Sequence, residues 1–506
     1  MFTTNHSPPA DRGIPPDANG LKGVDGLWLW LPIIFGVTAY LNLLTSTGRL
    51  LIDSDIYWHI VVGQWIVDHR AVPHVDPFSF TMRGAPWITS EWLSEVLYFA
   101  AFKVAGWAGP VILAALSIAA AFFLLTRLLL KRLPSIPVMI LVGAGMAITA
   151  PHMLARPHVL VFPALVLWAD AIVRAAEERR APSLAYLPLI ALWANLHGSF
   201  TLGLALIAPF ALEALWTADK SARAALAIQW LRFGLLALGV TCITPYGPES
   251  LLVTLRLLGL GSTLSTISEW QPQDFRTFAA FEGCLLAGIA YALYSGFKLP
   301  PWRIIVLLAV LHETLAHKRY VDVMALVAPF FIAGPLAQHL SQRVQPNGLN
   351  ITAYLRPGFI AAAAALVGVT GVITATRDYT PPLTPLAAVE KIKEMHPDRV
   401  LNENYYGGYL IYEGIPTFVD SRAELYGTTF LTRYQRAVTL TDVGDFVRLL
   451  DEYGIAATLL FPSTPAVGLL DRMEGWERIY ADDFAVVHYR RGKAASSPSP
   501  SPGQHP

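Results

Sequence analysis

The chain has 506 residues and a formal net charge of zero, with 37 Lys and Arg against 37 Asp and Glu. Hydrophobic residues make up 54% and charged residues only 15%, well below the roughly one quarter that a soluble domain carries. That excludes a large soluble enzyme, a disordered chain and a fibrous one, while zero net charge leaves no global basic field for nucleic acid.

Cys242 and Cys284 lie far apart in apolar runs, so neither a disulfide framework nor a zinc pattern is present. The remaining class is a polytopic α-helical membrane protein.

Residues 1–26 are polar and rich in Pro, Gly and Asp, which predicts a disordered tail. A membrane-crossing helix needs about 20 mainly apolar residues. Runs of this kind fall near 27–47, 108–130, 136–152, 157–173, 183–195, 198–217, 228–245, 278–296, 301–316, 320–337 and 355–376. They predict about eleven spans within a membrane domain over 27–377.

Basic residues in short loops favour the cytoplasmic side. With the N-terminus inside, Lys131, Arg132, Arg174, Arg179, Arg180, Lys220, Arg223, Lys298, Arg303 and Arg343 all fall there. This holds only if the segment 91–106 does not cross, so it is expected to lie in the interface.

The polar motifs then gather on the outer face: DSDIYWH (53–59), ARPH (155–158), NLHGS (195–199), TPYG (244–247), SEWQPQDF (268–275) and HKRY (317–320). One-sided clustering suits an enzyme with an extracytoplasmic site. A transporter would place polar groups near the midplane.

The first outer loop spans 48–107. Ile56 to Val67 have the spacing of an amphipathic surface helix with Asp55 at its N-cap. Capping alone would account for Asp55, and solvation alone for Asp53. VPHVDPFSFT (72–81) reads as an extended Pro-rich stretch, and Ser90 as the N-cap of a second interfacial helix.

After the last span, 378–492 reads as a small extracytoplasmic α/β domain. Helices are predicted at 383–397 and 442–455, and strands at 457–462 and 484–491. Residues 399–414 are expected to form a strand, a Gly-Gly break and another extended run, with a further strand at 416–422. A Ser/Pro-rich tail at 493–506 is expected to be disordered.

Two closely spaced carboxylates directly after the first span can activate a hydroxyl as general base or hold a divalent cation. Arg156, His158, His197, His317, Lys318 and Arg319 are expected on the same face. A ring of acids and cations at the lipid boundary suits an amphiphilic phosphate donor, whose departing phosphate the cations neutralise.

Arg156 also fits a snorkelling arginine, His197 an interhelical bond, and His59 a packing role. Lys318 and Arg319 are favoured as a phosphate contact. Glu269 and Trp270 begin a loop able to close over a donor. Asp420, Arg422 and Glu424 fit either acceptor binding or an internal salt bridge. Trp30 and Trp168 read as lipid-belt anchors.

The runs DSDIYWHIVVGQWI, VPHVDPFSFT and PWITSEWLSE, with the later motifs NENYYGGYL and VDSRAELYG, resemble bacterial members of the GT-C superfamily of integral membrane glycosyltransferases whose substrates are unassigned. The resemblance spans most of 27–490. It implies an enzyme of the bacterial inner membrane that transfers a sugar, with inversion, from a polyprenyl-phosphate donor to a glycan, lipid or protein acceptor.

By that resemblance Asp55 or Asp53 is the catalytic acid of the first outer loop, with Asp55 favoured. Some members use a metal, so Mg or Mn held by Asp53, Asp55, His59 and Glu91 is an open possibility. A flippase of lipid-linked saccharides and a non-catalytic envelope assembly protein are the rival readings. This chemistry requires membrane lipids and no nucleic acid.

Overall fold

The structure is a computed structural model that describes residues 27–46, 48–258, 268–340 and 357–491. The expected tails at 1–26 and 493–506, and Arg343, lie outside the described residues.

Every apolar run seen in the sequence is helical where it is described. Among the described residues, five helical stretches are long and apolar enough to cross a membrane: Ala108–Leu129, Ser135–His152, Phe200–Thr217, Arg223–Val240 and Lys318–His339. Four shorter apolar helices accompany them at Trp30–Thr45, Leu184–Leu196, Ala280–Ser295 and Ala361–Thr376. Phe162–Glu177 and Pro301–Ala316 are also helical but carry charges.

Those charges are paired. Arg132 reaches Asp170 at 2.9 Å and Glu177 at 2.7 Å, and Arg303 reaches Glu177 at 3.0 Å and Glu213 at 2.9 Å. Burying a charge is costly unless it is paired, so these bridges are what permit the ionisable residues to face the helix bundle.

Helix α1 (Leu27–Thr45) packs along α4 (Ala108–Leu129). Between them in sequence lie α2 (Asp55–His69) and α3 (Trp92–Ala105), which pack on each other. α3 has 14 residues, about 21 Å at 1.5 Å per residue, short of the ~30 Å hydrocarbon core.

α2 is not the surface-lying amphipathic helix expected. Nine of its fifteen residues are buried, among them Tyr57, Trp58, His59 and Val62. A Cβ on Gly63 would stand 2.1 Å from the carbonyl oxygen of Glu95, so only glycine permits α3 to lie this close. Trp168 is likewise no lipid anchor. It is fully buried, stacks on Phe233 and donates from Nε1 to the Gly203 carbonyl at 2.8 Å.

The C-terminal domain carries a four-stranded sheet ordered β1-β2-β4-β3, with β1 (Val400–Asn402), β2 (Ala457–Leu460), β3 (Trp476–Ala481) and β4 (Val486–Arg490). β1 and β2 are parallel and the other pairs antiparallel. The helices expected at 383–397 and 442–455 form, as Leu386–Met395 and Val443–Glu452.

Two expectations fail in this domain. The Gly-Gly break opens a short helix, Gly407–Tyr412, instead of an extended run. Residues 416–422 are not a strand and make a single bridge, Thr417 to Ser79 of the first outer loop. Both segments pack against that loop in place of joining the sheet. A Cβ on Gly408 would meet the Ser54 carbonyl oxygen at 2.3 Å, and one on Gly407 would meet Asp420 Cβ at 2.5 Å. The glycine pair therefore permits the C-terminal domain to dock directly on the Asp53–Ser54–Asp55 turn.

Candidate active site

Asp53, not Asp55, performs the capping. Its Oδ1 accepts the Asp55 backbone N–H at 2.9 Å, while Asp55 is the first helical residue and Ser54 makes no side-chain cap. This frees the Asp55 carboxylate to face inward, where the side chain is 12% exposed. The expected cap at Ser90 is also displaced: α3 begins at Trp92 with Glu91 in the capping position.

Arg156 is brought to this turn by the backbone. The Ala155 N–H donates to the Leu50 carbonyl at 2.7 Å, and Tyr98 OH donates to the Arg156 carbonyl at 2.9 Å. The guanidinium then contacts three acids. Nη2 pairs with Asp55, Nη1 with Glu269 at 2.6 Å, and Nε lies 2.9 Å from Asp53 Oδ2 as an ion pair without an aligned hydrogen bond. Glu269 is shared with Arg319 at 3.4 Å, and the Arg319 guanidinium sits 4.4 Å from the Trp270 ring.

A cavity of about 540 Å³ opens at this cluster. Asp55, His59, Glu91, Arg156, His158, His197, Glu269, Lys318, Arg319 and Arg422 all line it. Residues more than 350 positions apart in sequence thus share one wall. Lys318 makes no ion pair with another described residue, whereas Arg156, Arg319 and Arg422 are each paired.

Burial sets the proton affinities. It pushes the Asp55 carboxyl up to about 6, against the opposing pull of Arg156. Burial raises Glu91 to about 8 and holds His59 and His197 well below the usual imidazole range. Glu269 is lowered to about 2: its burial opposes ionisation, but Arg156 and Arg319 overcome it.

His197 Nδ1 accepts the Ser199 N–H at 3.1 Å, and its Nε2 lies 3.1 Å from Glu91. His59 faces the buried Glu95 at 3.6 Å, and Glu95 accepts from Thr89 at 2.7 Å. His317, expected on the same face, bonds the Trp270 carbonyl at 2.9 Å and so braces the loop carrying Glu269.

Asp420 and Arg422 are joined at 2.7 Å, and Arg422 also holds Asp76 of the first loop at 2.8 Å. Arg422 is 1% exposed on its side chain and lies 4.6 Å from the Trp87 ring. Asp76 is fixed in turn by the backbone N–H groups of Phe78 and Ser79. Nearby, Trp58 donates to Ser421 Oγ at 3.0 Å, and Trp87 to Glu424 at 3.1 Å. The segment 421–424 thereby becomes part of the cavity wall.

Asp53, Asp55 and Glu91 are not gathered on one point: Arg156 contacts both aspartates, and Glu91 is turned to His197. Among the described residues no group of three or more His, Cys, Asp or Glu is disposed to bind a metal ion.

Ser421, Trp58 and Asp322 also line the cavity and escaped the sequence reading. Asp322 carried a usable signal, since an acid inside an apolar membrane run marks a functional site by default.

The fold is similar to that of a solved archaeal oligosaccharyltransferase. The archaeal oligosaccharyltransferase AglB from Archaeoglobus fulgidus, solved with an inhibitory peptide and a dolichol-phosphate, superposes with a TM-score of 0.55 at 14% identity, over 87% of this chain and 70% of AglB. ArnT from Cupriavidus metallidurans aligns in its apo state with a TM-score of 0.49 at 14% identity, over 92% of this chain and 98% of ArnT. Its form bound to undecaprenyl phosphate gives 0.48 at 14% identity, over 91% and 97%. No protein-family model and no curated protein matches the sequence.

Proposed function

We propose that the protein transfers a glycosyl group from a polyprenyl-phosphate donor to a hydroxyl-bearing acceptor at the outer membrane face, with inversion. The observation that carries this reading is Asp55, buried beside Arg156 in a cavity that Lys318 and Arg319 also line. The fold shared with AglB, a protein solved with a dolichol-phosphate, is consistent with a lipid-linked phosphate donor.

The acceptor hydroxyl gives its proton to the Asp55 carboxylate as its oxygen attacks the anomeric carbon. The bond from that carbon to the phosphate oxygen breaks, and its electron pair leaves with the polyprenyl phosphate. Lys318 and Arg319 neutralise the charge that develops there, and a single displacement on the face opposite the phosphate inverts the anomeric centre. Arg156 holds Asp55 in register and keeps it ionised. Asp53 anchors Arg156 and caps α2. Arg422, Asp420 and Asp76 build the wall.

Asp55→Asn is expected to abolish glycosyl transfer while membrane insertion and thermal stability stay near wild type. Full transfer activity in that variant overturns the assignment.

A further inference from the structure

One carboxylate that lines the cavity has a buried oxygen without a hydrogen bond. Asp322, in the first turn of the helix Val321–His339, is 3% exposed, and its Oδ1 is buried without a hydrogen bond among the described residues. Oδ2 lies 3.8 Å from His158 Nε2, within ion-pair range but too far for a hydrogen bond.

The position at a helix start does not account for it, because the carboxyl accepts no backbone N–H there. A buried polar group left unpaired is costly, by an amount comparable to a lost hydrogen bond. Asp322 itself lines the cavity, so a ligand bound there can bring the donor that the carboxyl lacks.

The surroundings indicate which donor. Asp322 follows Lys318 by four residues, and both line the cavity. Apolar walls from Phe162, Leu165 and Val323 adjoin them. Three cations, Arg156, Lys318 and Arg319, already line the same space, which disfavours an ammonium group and favours neutral hydroxyls.

We propose that Asp322, with His158, forms a subsite that accepts hydrogen bonds from hydroxyl groups of the donor's sugar ring, making Asp322 a specificity determinant. This rests on the glycosyl-transfer reading.

The test is equilibrium binding to the full-length protein in lipid nanodiscs. The probes are undecaprenyl phosphate and its glucosyl, galactosyl, mannosyl and arabinosyl esters. Wild type should bind at least one ester more tightly than the sugar-free lipid. Asp322→Ala should weaken that ester about threefold to tenfold, as expected for a lost hydrogen bond, and leave the sugar-free lipid within about twofold. Asp322→Leu, which keeps the side chain's bulk without an acceptor, serves if the alanine variant fails to fold.

The proposal is overturned if both kinds of lipid weaken equally, if neither weakens, or if no ester outbinds the sugar-free lipid. Asp55→Asn separates the two claims. Retained transfer in that variant removes Asp55 as the base, and no transfer by the wild-type protein sinks the transfer reading; the sugar preference reports on Asp322 in either case.

Discussion

Replacing Arg156 by Gln should move the pH dependence of transfer upward. A general base acts in its ionised form, so the rate should rise with pH through the Asp55 midpoint. In the native protein that midpoint is about 6, and Asp55 is therefore mostly ionised at pH 7. Arg156 is the principal charge drawing the value down against burial, with Asp53 and Glu269 pushing it up.

Removing an adjacent opposite charge shifts a carboxyl by about 1–3 units. A shift of about two units leaves roughly one Asp55 in ten ionised at pH 7, so the rate there should fall about tenfold. The loss should recover as the pH approaches 9. Initial rates of sugar transfer from a lipid-linked donor, followed from pH 5 to 9 in nanodiscs, give the profile. An unchanged midpoint in Arg156→Gln would refute the coupling between these two residues.

Other expectations are more local. Arg422→Leu leaves Asp76 and Asp420 buried without their shared partner, and breaking such a pair costs about 3–5 kcal/mol; a loss below about 1 kcal/mol in denaturant titration would contradict the wall built by these three groups. Gly408→Ala places a methyl group 2.3 Å from the Ser54 carbonyl oxygen and should cost about 1–3 kcal/mol by overpacking. Its transfer rate should also fall as the Asp55 turn shifts; native stability and rate together would show that the docking is loose. Reporter fusions after Lys131, Arg180 and Lys220 should read as cytoplasmic, and fusions near His74 and after Asp378 as external. A cytoplasmic C-terminal domain would break the one-face arrangement.

The sequence made the membrane helices legible because hydrophobicity is a local property. It also yielded the cluster of Asp55, Arg156, Glu269, Lys318 and Arg319, because basic-loop asymmetry assigned those motifs to one face. It misjudged α2, whose apolar spacing looked like a membrane-surface pattern. The partners that bury α2, α3 and the Gly407–Tyr412 helix, come from elsewhere in the chain.

The Gly-Gly pair shows the same limit. It read as a break between extended runs, because the neighbour it approaches, Ser54, lies more than 350 residues away. The capping expected of Asp55 falls to Asp53 because it depends on where the helix starts, and a shift of one residue decides it.

The most direct test is an experimental structure of the Asp55→Asn protein with a glycosyl ester of undecaprenyl phosphate bound. The phosphate should lie within hydrogen-bond reach of Lys318 or Arg319, with the anomeric carbon a few ångströms from the side chain at position 55. A lipid phosphate seated outside this cavity, or a sugar directed away from position 55, would contradict the account.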